Sequence, residues 1–217
     1  MTDEVVRGRK RAAAPPRAQA GGMAAALTPF ERAVAHTLGI EGGYSDHPSD
    51  RGGKTQWGIT EAVARADGWR GEMRALPKAR ALAIYRRLYW DRIGLDWIAS
   101  VDPTTSLECF DTGVNMGVVV PVTYQQRILN VLNRGGRDYP DLRVDGVAGR
   151  ATAEAYRAFL RRRGREGRDV VVALLNALQG QRYVELCEAR VANEDFMFGW
   201  ARTRLLVADN GPLEIAA

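Results

Sequence analysis

The stretch from Ile40 to Thr60, IEGGYSDHPSDRGGKTQWGIT, holds the residues best suited to chemistry. Glu41 comes at the end of an apolar helical pattern and is followed by two glycines. Apolar neighbours disfavour a charged carboxylate, and so does the negative end of a helix dipole, so both raise the pKa of such an acid. The position therefore predicts a glutamate that stays protonated near neutral pH and acts as a general acid.

A second carboxylate follows in the same stretch. Eight residues separate Asp50 from Glu41, and a loop of that length can fold back and place Asp50 on the opposite side of a cleft. One desolvated acid and one solvated anion are the pair that cleaves a glycosidic bond. Thr55 is a candidate to hold the attacking water. A solvated turn with aspartate caps explains the same residues, and the spacing alone leaves both interpretations open.

Metal binding is the competing chemical interpretation of the segment SDHPSD. Asp46, His47 and Asp50 are potential ligands. A calcium loop, however, requires acids at alternate positions and a closing glutamate twelve residues along, and neither is present. We expect no metal and no cofactor.

Charge and composition exclude several function classes. The net charge is +5, and residues 1–22, with five basic and two acidic residues, supply three of the excess charges. The nearly balanced remainder argues against a nucleic-acid partner, and the surplus fits a protein that works beside an anionic polymer equally well. No apolar run approaches the roughly 20 residues that span a bilayer, so we expect no stable membrane insertion. Cys109 and Cys187 are expected to be buried free thiols from a reducing compartment.

Apolar spacing predicts a mainly α chain with three regions. Residues 1–26 are expected to be a disordered basic tail, with Met23 a candidate natural start. Residues 27–119 and 120–217 are predicted as two helical regions packed together. Separate helices are expected over 151–164 and 169–190. A small hairpin fits only in the loop 42–59, with Tyr44 and residues 57–59 as its arms.

Several motifs resemble one known family. EGGYSDHPSDRGGKTQWGIT resembles the signature of glycoside hydrolase family 108, muramidases found as phage-type endolysins and as secretion-associated cell-wall enzymes. IYRRLYWDRIG, FDTGVNMG and GWARTRL are similar to further segments of that family. VDGVAGRATAEAYRAFL is similar to a pattern in the peptidoglycan-binding-like half often fused behind it, although loop chemistry favours a mainly scaffolding role here. The resemblance spans roughly residues 28–205.

The resemblance implies a fold, an activity and a set of site residues. It implies a lysozyme-like helical domain over 27–119, a peptidoglycan-binding-like helical region over 120–217, and cleavage of the β-1,4 bond between N-acetylmuramic acid and N-acetylglucosamine. The family's catalytic glutamate corresponds to Glu41. The spacing of Glu41 and Asp50 also resembles that of phage lysozymes, in which a threonine follows slightly later; Thr55 comes one residue early by comparison.

Five residues are candidates for substrate binding. Asp111 and Asn115 lie on one face of a predicted helix, where a core role and a role in the glycan cleft are both open. Aromatic faces suit pyranose rings, so Tyr44 and Trp57 are predicted to stack on sugars, whereas Trp90 is predicted to be core. Asp46 is the remaining polar candidate and an alternative second carboxylate.

Two other functions remain open at this stage. A lytic transglycosylase also uses a glutamate but lets the muramic 6-hydroxyl close an anhydro ring. A non-catalytic peptidoglycan-binding module of a phage-like particle or secretion apparatus is the alternative from another class. Because no conventional signal peptide is visible, we expect synthesis in the cytoplasm of a bacterium or phage-infected cell. Peptidoglycan glycan strands are the expected partner, with a holin or secretion system for export to the periplasmic wall.

Overall fold

The computed structural model describes residues 26–38, 43–45 and 53–205 of the 217-residue chain. These residues are mainly α-helical, as the sequence predicts, and their strands form one two-stranded sheet. The helices are α1 (Pro29–Leu38), α2 (Glu61–Ala66), α3 (Lys78–Tyr85), α4 (Leu95–Ala99), α5 (Pro103–Met116), α6 (Val120–Leu132), α7 (Arg150–Glu188) and α8 (Glu194–Arg204).

The first helix begins at a capping box. The Glu31 backbone N–H donates to Thr28 Oγ1 over 3.2 Å, and the Thr28 backbone N–H donates to Glu31 Oε2 over 2.8 Å. Two of the N–H groups that a helix start leaves unpaired are thereby satisfied. Pro29 takes the first helical position, where its missing N–H costs nothing. Helix α1 is therefore fixed at its start, and it ends at Leu38.

An aromatic cluster holds α1 against the centre of the molecule. The Phe30 ring lies edge-on to Trp90 at a centroid distance of 5.5 Å and to Phe110 of α5 at 6.0 Å. Tyr85 contacts Phe110 in the same way at 6.1 Å. Edge-to-face pairs add to the stabilisation that burial already provides. Trp90 is fully buried, which confirms its prediction as a core residue.

The hairpin lies within the predicted loop, but its arms differ from the prediction. Strands β1 (Thr55–Gln56) and β2 (Ile59–Thr60) pair antiparallel, and Ser45 forms an isolated bridge to Thr55. Trp57 and Gly58, predicted as part of an arm, form the turn instead, with φ of +54° and +72°. A two-residue turn with both φ values positive matches the right-handed twist of the strands, and Gly58 makes it accessible.

The second half is built on α6 and α7. Helix α7 runs over 39 residues with one break at Gly164, whose φ of 58° and ψ of −145° are not helical. The two helices predicted from sequence are therefore two segments that follow one another around this glycine.

The loop before α7 has a structural role. The Gln126 amide oxygen accepts hydrogen bonds from the backbone N–H groups of Asp145 and Gly146, each over 3.0 Å. The Ala148 backbone N–H donates to the carbonyl of Ile93 over 2.8 Å. Residues 145–148 thus brace the second half against the first.

Cys109 and Cys187 are buried free thiols, as predicted. Within the described ranges, no helix is both long and apolar enough to cross a membrane.

Candidate active site

Three of the predicted site residues, Glu41, Asp46 and Asp50, lie outside the described residues. Along the chain, Glu41 comes three residues after Leu38 and two before Gly43. The structure describes the chain up to Leu38 and again over residues 43–45. These residues and their neighbours show what surrounds the end of α1.

The hairpin turn lies directly against the end of α1. A Cβ atom added to Gly58 would be 2.5 Å from the Tyr85 Oη and 3.0 Å from a Leu38 methyl carbon. Such short separations mean that the Gly58 backbone is in close contact with both side chains. Tyr85 is almost fully buried, so it cannot move aside easily. Helix α1, helix α3 and the hairpin therefore meet at this point.

A mainly apolar cavity of about 280 Å³ opens beside the same contact. Its lining includes Val34, Leu38, Trp57, Lys78, Leu82 and Tyr85. Burial raises the pKa of the Tyr85 phenol above its usual range, so this group is a neutral hydroxyl at physiological pH. The end of α1 therefore has apolar surroundings, which is the environment that the general-acid prediction requires.

The two aromatic residues predicted to stack on sugars are partly buried and lie near cations. Trp57 Nε1 donates to the Leu76 carbonyl over 2.9 Å, and Lys78 Nζ lies 5.4 Å from the centre of the Trp57 ring. The Arg74 guanidinium carbon lies 3.9 Å from the centre of the Tyr44 ring. Cation contacts of this kind at exposed positions attract the ring face weakly. Sugar stacking by either ring stays a prediction.

Thr55, predicted to hold the attacking water, lies in β1 and is partly buried. Its hydroxyl donates to the carbonyl of Gly53 over 3.2 Å. A hydroxyl oxygen in this state still has acceptor capacity. Its role in catalysis stays a prediction.

Asp111 of α5 accepts hydrogen bonds from Arg204 of α8 and from the exposed Asn115 of its own helix. Arg204 Nη1 donates to both Asp111 carboxylate oxygens, over 3.1 and 3.0 Å, and Asn115 Nδ2 donates to Asp111 Oδ2 over 3.2 Å. Asp111 is itself buried. A sugar would have to compete with Arg204 for this carboxylate, and a role of Asp111 and Asn115 in the glycan cleft stays a prediction.

Sequence reasoning missed Glu108, one turn before Asp111 on α5. Its pKa is raised to about 7, mainly by burial and also by the negative charge of Asp111, while the positive charge of Arg204 lowers it. Its apolar neighbours Leu107, Cys109 and Phe110 are the sequence signal that could have identified it. Arg204 was missed because 93 residues separate it from Asp111.

The residues that could bind a metal do not cluster in the described ranges: no group of three or more His, Cys, Asp or Glu side chains is close enough to share an ion there. The segment SDHPSD lies largely outside those ranges.

Comparison with known protein families shows which families the two halves of the chain resemble. Residues 34–117, from α1 to the end of α5, match the sequence model of the family described as "Glycosyl hydrolase 108". The chain therefore contains a glycosyl hydrolase 108 region. Residues 120–205, from α6 to α8, match the model described as "Predicted Peptidoglycan domain". A family 108 region followed by a peptidoglycan domain makes the chain a glycoside hydrolase that acts on peptidoglycan.

A solved structure supports the same assignment. The chain is similar to the structure titled "Structure of Brucella abortus SagA", with 26% identity and a TM-score of 0.54. The similarity covers 81% of this chain and 91% of the other. It therefore extends over both the family 108 region and the peptidoglycan domain. A comparison with curated protein sequences finds no match.

Replacing Gly58 by alanine should destabilise this family 108 region strongly. Left-handed φ alone costs a non-glycine residue about 1–2 kcal/mol, and contact with Tyr85 and Leu38 should add roughly 1–3 kcal/mol. Gly135→Ala is the matched control, because Gly135 has φ +69° and nothing within 4 Å of an added Cβ. Chemical denaturation measures both variants. Equal losses of unfolding free energy would show that Gly58 makes no structurally important contact.

Replacing Glu108 by glutamine should stabilise the protein at neutral and alkaline pH. The raised pKa means that folded wild type holds a proton which the unfolded chain releases from about pH 4.5 upward, so wild-type stability falls until about pH 7. Glutamine removes this loss, and the gain should grow with pH to roughly 1–3 kcal/mol.

The measurement is unfolding free energy from pH 4 to pH 8, with Glu166→Gln, an exposed glutamate of α7, as control. Parallel profiles for Glu108→Gln and wild type would contradict a raised pKa of the partly buried Glu108.

Proposed function

We propose that the protein is an N-acetylmuramidase that cleaves the β-1,4 bond between N-acetylmuramic acid and N-acetylglucosamine, with Glu41 as the general acid. The observation that carries the proposal is the apolar cavity where Leu38, Trp57 and Tyr85 meet, three residues along the chain before Glu41. Apolar surroundings favour the neutral form of a carboxylic acid, and a neutral acid is needed to protonate a leaving group.

In the proposed mechanism, Glu41 donates its proton to the glycosidic oxygen while the bond from that oxygen to the muramic C1 breaks. Positive charge develops at C1. Asp50, helped by Thr55, either stabilises that charge or removes a proton from a water on the opposite side. The water oxygen then bonds to C1, and a reducing muramic acid end results.

Asp50 is the preferred second carboxylate, with Asp46 as the alternative. Asp111 is less suitable because both of its oxygens already accept hydrogen bonds from Arg204. An aspartate held in this way supports the packing of α8 on α5 and has little freedom to face a sugar.

The biological setting belongs to the same proposal. The substrate is a wall polymer outside the cytoplasm, so the enzyme acts in phage-like lysis or in passage through the wall. A holin pore or a secretion system would carry it to the periplasmic peptidoglycan.

Glu41→Gln should reduce hydrolysis by about 100-fold or more, since it keeps the side-chain shape and removes the transferable proton. The measurement is the rate of muropeptide release from purified sacculi, followed by liquid chromatography. Glu72→Gln is the matched control, because Glu72 is an exposed glutamate of the same region. Both variants should unfold at the wild-type temperature. Wild-type-like release by the Glu41 variant would end the proposal.

A further inference from the structure

A groove lined by charged and apolar side chains lies in the peptidoglycan domain, between α6 and the second segment of α7. Its volume is about 470 Å³. Helix α6 contributes Val120, Thr123, Tyr124 and Arg127, and helix α7 contributes Leu178, Gln181, Arg182 and Glu185. None of these residues lines the apolar cavity beside Leu38. The groove is therefore a second concave site, on elements other than those that carry Glu41.

The groove combines charges of both signs. Arg127 is exposed and forms no ion pair with any residue that the structure describes. On the facing helix, Arg182 Nη1 lies 3.0 Å from Glu185 Oε2, and Gln181 Nε2 donates to Glu185 Oε1 over 3.1 Å. The exposed Glu185 carboxylate is thereby oriented by its neighbours and keeps further acceptor sites, and the Arg127 guanidinium keeps its five donors available for a ligand.

Apolar side chains lie between these charges. Val120 and Leu178 are part of the lining, and Val119 at the entrance is about half exposed, at 48%. A ligand that fills the groove should therefore carry small apolar groups between charged ones.

The position of the groove connects it to the wall polymer. Every lining residue except Val119 lies within 120–205, the range that matches the peptidoglycan domain. The description of that domain indicates peptidoglycan as the polymer but does not say which residues bind it. The polymer offers two chemistries: an uncharged glycan, and short peptide stems that bear carboxylates, methyl side chains and the free ammonium group of a diamino acid.

The charges distinguish between these two chemistries. The Arg127 guanidinium is suited to a carboxylate, which it can bind through paired hydrogen bonds, and Arg182 can add the donors that it does not use with Glu185. Glu185 is suited to an ammonium group. An uncharged sugar would leave Arg127 without a partner of opposite charge, whereas a peptide stem supplies one.

We propose that the groove between α6 and α7 binds the peptide stem of peptidoglycan, with Arg127 and Arg182 on its carboxylates and Glu185 on its free ammonium group. The proposal rests on the proposed function only for the identity of the polymer. Under this proposal the peptidoglycan domain binds the peptide stem, while the family 108 region acts on the glycan.

The test uses the soluble tripeptide L-alanyl-γ-D-glutamyl-meso-diaminopimelate, which contains no glycosidic bond, and the full wild-type chain. Isothermal titration calorimetry should detect binding that weakens as salt is raised. Arg127→Gln should weaken it about tenfold, the loss typical of one charge-assisted contact. Arg157→Gln is the matched control, because it removes the same charge from an exposed position of α7 outside the groove. It should bind like wild type.

A second probe tests Glu185. The same tripeptide with its diaminopimelate side-chain amine acetylated should bind more weakly to wild type, and Glu185→Gln should abolish that difference.

Three outcomes would overturn the proposal: no binding of the tripeptide, equal effects of Arg127→Gln and Arg157→Gln, or binding of uncharged chitotetraose that Arg127→Gln weakens while the tripeptide does not bind. Hydrolysis is measured separately on sacculi. Tripeptide binding that depends on Arg127 in a protein that releases no muropeptides would support the groove while ending the proposed hydrolysis.

Discussion

The contact of the hairpin turn with the end of α1 is the constraint on which the site depends. Gly58 packs against the Tyr85 hydroxyl and the Leu38 side chain, and Tyr85 is in turn held by Phe110 at the centre of the molecule. Helix α1 is anchored to the same aromatic cluster through Phe30. The chain therefore leaves α1 beside an apolar cavity whose walls cannot move independently. The proposal that Glu41, three residues later, acts as a neutral acid rests on these apolar surroundings of Leu38.

The two regions of the chain share one interior. Tyr156 of α7 lies 2.7 Å from the Thr105 hydroxyl of α5, and Arg204 of α8 holds Asp111 of α5. Buried contacts of this kind fix the relative position of the elements that make them, since breaking one leaves an unpaired polar group. These contacts pack α7 and α8 against α5 of the family 108 region. An enzyme of this construction suits a polymer whose glycan and peptides are themselves covalently linked.

Much of the fold could be predicted from local sequence patterns. Contacts between residues that are distant in sequence could not. The burial of Trp90, Cys109 and Cys187 followed from residue type and from the apolar residues around them. The hairpin was placed in the right loop, but strands of two residues are too short to show alternation, so its turn at Trp57 was missed. The Asp111–Arg204 pair joins distant parts of the chain, and no local pattern signals it. The active-site prediction for Glu41 lies outside the described residues and depends on its sequence motif and its neighbours.

The most direct test of the central claim is the chemistry of the products. Purified sacculi digested in water enriched in ¹⁸O should give muropeptides with reducing muramic acid ends that carry one labelled oxygen, because water attacks C1 after Glu41 has protonated the leaving oxygen. Mass spectrometry of the released fragments measures the label. Unlabelled 1,6-anhydro ends would contradict hydrolysis and indicate a transglycosylase, and the absence of fragments would indicate a binding protein without catalytic activity.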